Sequence, residues 1–337
     1  MDPIYSRQEC IAAIKDFYEF LGKMYLDVSS SIIYPPDNGW PNMTTEVMGC
    51  LGKDREIIML LRQLPYPEVR PFSDNPDAGL PDRKLYDWKT SVDKLMKEEM
   101  DAEDVLWDVE GRRHHFGKRI PKHFVGLIDA FHGENVVLLD IKTGLVYWMD
   151  CPQYILEACE PKPSNLVYPL EDVVEAGGME RATVVRTRDE AEKEVWDTET
   201  EQRDEETPPT SDDEDEDDEE EEEDASEDES DDDSDDGYDD IKWGPCWPVR
   251  HFFAMLKNHY LKLNFIPYDH LTVIHIWTKQ YQNWEKIPQG VPEALQSIYH
   301  KHGWPNVGIF NKEECLIELK KEVAEKFPNI HRYRDDR

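Results

Sequence analysis

Catalysis needs titratable or nucleophilic side chains at set spacings, and this chain offers few such constellations. Among its 11 histidines the close groups are His114-His115 and His300-Lys301-His302, and neither has cysteines at zinc-finger spacing beside it. The six cysteines, Cys10, Cys50, Cys151, Cys159, Cys246 and Cys315, include no Cys-x-x-Cys pair, so no metal and no cofactor are expected. There is no glycine-rich phosphate loop, Gly-x-Ser-x-Gly, His-Glu-x-x-His or EF-hand pattern. Asp140, set among apolar residues, reads either as a buried acid or as a carboxylate that stabilises the adjoining turn. Such residues favour a non-enzymatic protein, with an enzyme built on an unrecognised site as an alternative.

Charge carries more information. Lys and Arg total 38 against 75 Asp and Glu, a net charge of -37. Between Ser211 and Asp240, 23 of 30 positions are acidic and none is basic; setting those 23 aside leaves -14 on the other 307. Like charge at this density repels itself and cannot bury apolar surface, so a disordered stretch is expected, able to extend on the order of 100 Å. Its carboxylates, Asp212, Glu221 and Asp232 among them, would either solvate the protein or clamp basic partners such as histones in a salt-sensitive way. Ser211, Ser226 and Ser230 each have an acid three positions on, the pattern acidophilic kinases prefer. Basic residues gather at Arg112, Arg113, Lys118 and Arg119, which suits an import signal, an anionic partner or the chain's own acidic run. A body this acidic makes direct nucleic-acid binding unexpected, because phosphate contacts need a positive face.

The third signal is aromatic. Of the 10 tryptophans, Trp40, Trp304 and Trp148 are the candidates for gripping a partner. Trp40 and Trp304 sit in an echo, Gly39-Trp40-Pro41-Asn42 and Gly303-Trp304-Pro305-Asn306. That string reads either as a surface aromatic for an extended peptide or as a turn whose indole anchors to the core, the second being favoured because large aromatics are usually buried.

Elements that would hold these residues follow from periodicity. Ser6 and Glu9 make a capping box ahead of Ile11, Ile14, Tyr18, Leu21 and Tyr25, one face of a helix. Further helices are expected from about Asp54 to Leu64 and from Tyr86 to Met100. Short β-rich runs follow at 124–128 and 136–141, the latter turning through Lys142-Thr143-Gly144 into 145–149 as a hairpin. Pro248 opens a helix carrying Val249, Phe252, Phe253, Leu256 and Tyr260. Strands at 263–266 and 271–277 and helices at 292–300 and 312–327 complete the chain.

The expected fold is α+β: N-terminal helices, a central hairpin or sheet, and C-terminal strands and helices, interrupted by a disordered acidic loop. Residues 1–185 form the N-terminal part of the body, 186–240 the acidic linker, and 241–337 a C-terminal part packing on the same body, with two separate domains as the alternative. No apolar run approaches the roughly 18 residues of a membrane span, and MDPIYSRQEC has no signal-peptide pattern. A cytoplasmic or nuclear protein with reduced thiols is expected.

Four strings, DFYEFLGKMYL, NGWPNMTTEVMGCLGKDREIIMLLRQLPYP, VVLLDIKTGLVYWMDCP and IYHKHGWPNVGIFNKEECL, resemble a group of uncharacterised filamentous-fungal proteins. The helix-then-hairpin order and LLDIKTGLVY are distantly similar to the SUKH superfamily of fungal cell-wall assembly regulators and bacterial immunity proteins. The superfamily's Pro, acidic-helix and Asn-Gly-Gly motif has no counterpart in this chain. The resemblance implies an interaction hub or regulatory scaffold. A second expectation, from charge alone, is an acidic chaperone for basic proteins.

Overall fold

The computed structural model describes residues 5–68, 79–81, 83–111, 120–130, 136–149, 151–164, 243–279 and 290–328. Helix α1 (Arg7–Met24) starts where its sequence says: Ser6 Oγ accepts the Glu9 amide, and Ile11, Ile14, Tyr18 and Leu21 are buried with Cys10, Phe17 and Met24. A short α2 (Val28–Ser31) leads into β1 (Ile32–Ile33), which pairs antiparallel with β2 (Tyr66–Pro67).

Between them lies α3 (Arg55–Leu61), three residues shorter at its end than its sequence pattern suggests. The amides of Gln63 and Leu64 bond three residues back, tightening the exit and leaving carbonyls to be satisfied by other groups. Tyr66 Oη donates to Leu61 O, and Trp40 donates its main-chain N–H to Arg62 O and its indole N–H to Leu64 O.

Helix α4 (Trp88–Met96) is capped by Asp87, whose carboxylate accepts the Thr90 amide. It ends before the expected Met100 because Glu98 turns into the left-handed region at φ 57°. A separate helix, α5 (Ala102–Glu110), follows and was not expected from the sequence. Its signal is an aspartate version of the capping box: Asp101 accepts the Asp104 amide at 2.8 Å and Asp104 accepts the Asp101 amide at 3.3 Å. Gly111 at φ 75° stops it.

Four antiparallel strands make the central sheet, in the order β3 (Phe124–Gly126), β4 (Val137–Asp140), β5 (Leu145–Trp148) and β6 (Cys246–Pro248). Val125 opposes Leu139, Leu139 opposes Val146, and Val146 opposes Trp247, so one apolar row crosses all four strands into the main core. Strand β6, three residues ending in proline, has no sequence alternation to announce it.

After α6 (Gln153–Ala158) and the returning β6, Pro248 caps α7 (Val249–Leu261). Helix α7 lies along α1. Glu9 pairs with Arg250 at 2.7 Å and Asp16 pairs with Lys257, so residue numbers rise together and the helices run parallel. Between them Phe17 meets Phe253 at 5.4 Å, and Tyr25 stacks on Tyr260 at 6.2 Å. A small hairpin, β7 (Phe265–Pro267) with β8 (Val273–His275), precedes α8 (Val291–Lys301) and α9 (Lys312–Lys326). Asn311 caps α9 by accepting the Glu314 amide. The chain is a mixed α+β protein with small antiparallel sheets, and no helix among the described residues is long and apolar enough to cross a membrane.

Candidate functional site

The two Gly-Trp-Pro-Asn segments do the same structural work. Each glycine takes a left-handed turn, at φ 76° for Gly39 and 100° for Gly303. Each tryptophan then turns inward and donates its indole N–H to a carbonyl near the end of a helix: Trp40 to Leu64 O at 2.9 Å beyond α3, Trp304 to Tyr260 O at 3.1 Å in α7. Exposure is 9% for Trp40, 3% for Trp304 and 1% for Trp148. Rings sunk this deep leave little face for a peptide, and of the two readings of Gly-Trp-Pro-Asn the favoured one, a turn whose indole anchors to the core, describes Trp40 and Trp304. Trp148 sits in the apolar row's face of β5, packed edge-on against Phe252.

Asp140 is both things its sequence allowed. It is buried, and it holds the β4–β5 turn: Lys142 N–H donates to Oδ1 at 2.7 Å and Thr143 Oγ1 to Oδ2 at 2.6 Å. Burial pushes its carboxyl pKa up, while the Thr143 and Lys142 hydrogen bonds pull it back. His123 Nε2 lies 4.0 Å from Asp140 Oδ1. Burial, helped by the nearby Lys142, drops the His123 pKa to about 4, leaving a neutral ring at physiological pH. Lys53 and Glu110 form a buried ion pair at 2.5 Å. No group of three or more His, Cys, Asp or Glu among the described residues is placed to hold a metal ion.

A cleft of about 160 Å³ opens where the N-termini of α1 and α7 converge, lined by Ser6, Glu9, Cys10, Gly144, Arg250 and His251. It is small beside the roughly 300–1,000 Å³ of ligand pockets. The Arg250 guanidinium is committed to Glu9, and burial pushes the Cys10 thiol up to about 12, which leaves little thiolate to act as a nucleophile.

The arrangement most relevant to the acidic run is its root. The chain leaves the described body at Ser164 and rejoins it at Trp243. Ser164 and Cys246 form an antiparallel bridge, with Ser164 N–H donating to Cys246 O at 2.7 Å. Trp247 donates its indole N–H to Pro161 O at 3.0 Å, and Trp148 N–H donates to Pro245 O at 3.0 Å. Trp243 stacks on Phe124 at 4.5 Å and 18°, and tilts against Tyr147. Gly244 is required there, since a Cβ would sit 2.7 Å from Trp148 O and 2.8 Å from Met149 O. Both ends of the excursion are thereby held on the sheet, Ser164 against Cys246 of β6 and the Trp243 ring over Phe124 of β3 and Tyr147 of β5. Sequence reasoning missed these residues; the signal available was the abrupt aromatic string Trp243-Gly244-Pro245-Cys246-Trp247 directly after the charge run.

Asp212, Glu221 and Asp232, the serines Ser211, Ser226 and Ser230, and the basic residues Arg112, Arg113, Lys118 and Arg119 lie outside the described residues. Compared with known proteins, the chain matches no family model, no curated protein and no solved structure.

Proposed function

We propose that this chain is a non-enzymatic protein–protein interaction module of the cytoplasm or nucleus, in which a packed α+β body presents the acidic run to basic protein partners. Histones and similarly basic chains are the partner class that the chemistry favours, and the acidic chaperone is the special case in which capture of such a partner is the whole task. The observation that carries this reading is that the residues flanking the 23-carboxylate run on either side, Ser164 and Trp243, are both held on the body. A polyanion held that way gathers cationic chains by long-range attraction, giving fast and salt-sensitive capture. The buried carboxylates support the same reading, because Asp87 and Asp140 are occupied with a helix cap and a turn.

The test is binding of a core histone to the full chain and to a chain lacking 211–240, followed across a salt series. Binding should weaken steeply as salt rises and disappear with the deletion. Equal binding by both proteins, insensitive to salt, would place recognition on the folded body and sink the acidic-run reading.

A further inference from the structure

The body is made from two lengths of chain, 5–164 and 243–328, that complete one another. Strand β6 supplies the fourth strand of the sheet, and Trp247 finishes the row begun by Val125, Leu139 and Val146. Helix α7 then covers α1: Phe253 and Tyr260 meet Phe17, and Tyr260 also stacks on Tyr25. Trp304 reaches across to Phe20 at 6.0 Å. Further along, Lys312 at the start of α9 donates to Gly22 O at 2.8 Å and Leu26 O at 2.9 Å, satisfying carbonyls at the end of α1. Ladder bonds, a ring cluster and helix-end capping therefore all cross from one length to the other.

We propose that these two lengths hold each other without the covalent link, so that a cut in the acidic run leaves the body assembled as a two-piece complex. The binding surface is the face of 5–164 formed by β5, α1 and the last carbonyls of α1, and its partner is the chain's own C-terminal length. The link contributes effective concentration, on the order of millimolar for a flexible connection, and that is what a cut removes. Assembly then becomes bimolecular, and its apparent stability becomes concentration-dependent. Cleavage in the run would thus be silent at the level of the fold.

The experiment uses the full chain with a site-specific protease sequence inserted between Ser211 and Asp212. The protein is cut while folded, then passed over a sizing column at micromolar concentration and melted at two concentrations tenfold apart. The expected result is co-elution of both fragments, with a melting midpoint that falls on dilution only after cutting. Fragments that separate or precipitate at micromolar concentration, or a cut protein whose midpoint ignores dilution, would overturn the proposal. The readout is assembly alone, so it is independent of whether the run captures basic partners.

Discussion

The indole N–H of Trp304 donates to the main-chain carbonyl of Tyr260 at 3.1 Å, tying the turn after α8 to the last turn of α7. Tyr260 in turn contacts Phe17, Phe20 and Tyr25 of the α1 segment, so one hydrogen bond seats the turn on the centre of the ring cluster. Replacing Trp304 with Phe removes the donor while the Leu263 amide still donates to the Tyr260 carbonyl, an expected loss of about 0.5–1.5 kcal/mol in denaturant unfolding. Trp304→Ala adds a cavity and should cost about 3–5 kcal/mol. Histone binding by the folded fraction should be unchanged in both variants; its selective loss without a stability change would restore a surface role for the ring.

Acid should weaken the fold through two histidines. His259 is 1% exposed, wedged between Phe265 and Trp277, with Asn264 donating to its Nδ1. Burial lowers its pKa to about 4, as it does for His123. Unfolding restores an ordinary value near 6.5, so the unfolded chain binds more protons between about 6.5 and 4. Stability should be fully present above pH 6.5 and fall as the pH drops toward 4. At pH 5 each ring accounts for up to about 2 kcal/mol. The raised carboxyls of Asp87 and Asp140 act in the opposite sense as they take up protons in the folded state. Melting curves from pH 7.5 to 4.5 on the parent and on His259→Phe check this: the variant should show the shallower decline.

The buried pair Lys53–Glu110 should behave as a unit. Glu110→Leu strips the carboxylate from an ammonium that has left water, and should cost about 3–5 kcal/mol. The double variant Lys53→Met with Glu110→Leu should recover most of that loss. A double-mutant cycle by urea unfolding measures the coupling; additive effects would show that the two charges do not depend on one another.

Gly126 marks where α5 meets β3. A Cβ there would lie 2.5 Å from Val109 O, a backbone atom that cannot swing aside, and Gly126 O also accepts the Trp88 indole N–H at 3.1 Å. Gly126→Ala should lower stability by about 1–3 kcal/mol and shift the Trp88 environment, read by thermal melting and tryptophan fluorescence.

Much of the fold was legible wherever the signal is local. The 3–4 spacing of Ile11, Ile14, Tyr18 and Leu21 is α1, the run around Lys142-Thr143-Gly144 is the β4–β5 hairpin, and Pro248 caps α7. What stayed hidden depends on geometry or distance. Helix α4 ends at a left-handed Glu98, a residue whose type gives no hint of positive φ. Helix α5 hid because its box uses Asp at both ends, where Glu or Gln is the usual partner. Strand β6 exists only because it meets β5 and Ser164, and Ser164 and Cys246 are 82 positions apart. The acidic run was plain from composition, while its paired root at that edge required the pairing itself to be seen. The burial of Trp40, Trp304 and Trp148 was ambiguous for a related reason: aromatic type signals energy of burial equally well in a core and at an interface.

The neighbouring exit and return of the chain, Ser164 beside Cys246, has a mechanical meaning. Any pull on the segment between these residues would reach the body through Ser164, beside β6, and through Trp243, whose ring lies against Phe124 of β3 and Tyr147 of β5. Bonds loaded from such chain ends yield one after another, as in opening a zip. The Ser164–Cys246 bridge and the Trp243–Phe124 stack would give first, relieving the load before it reaches the packed pair of α1 and α7.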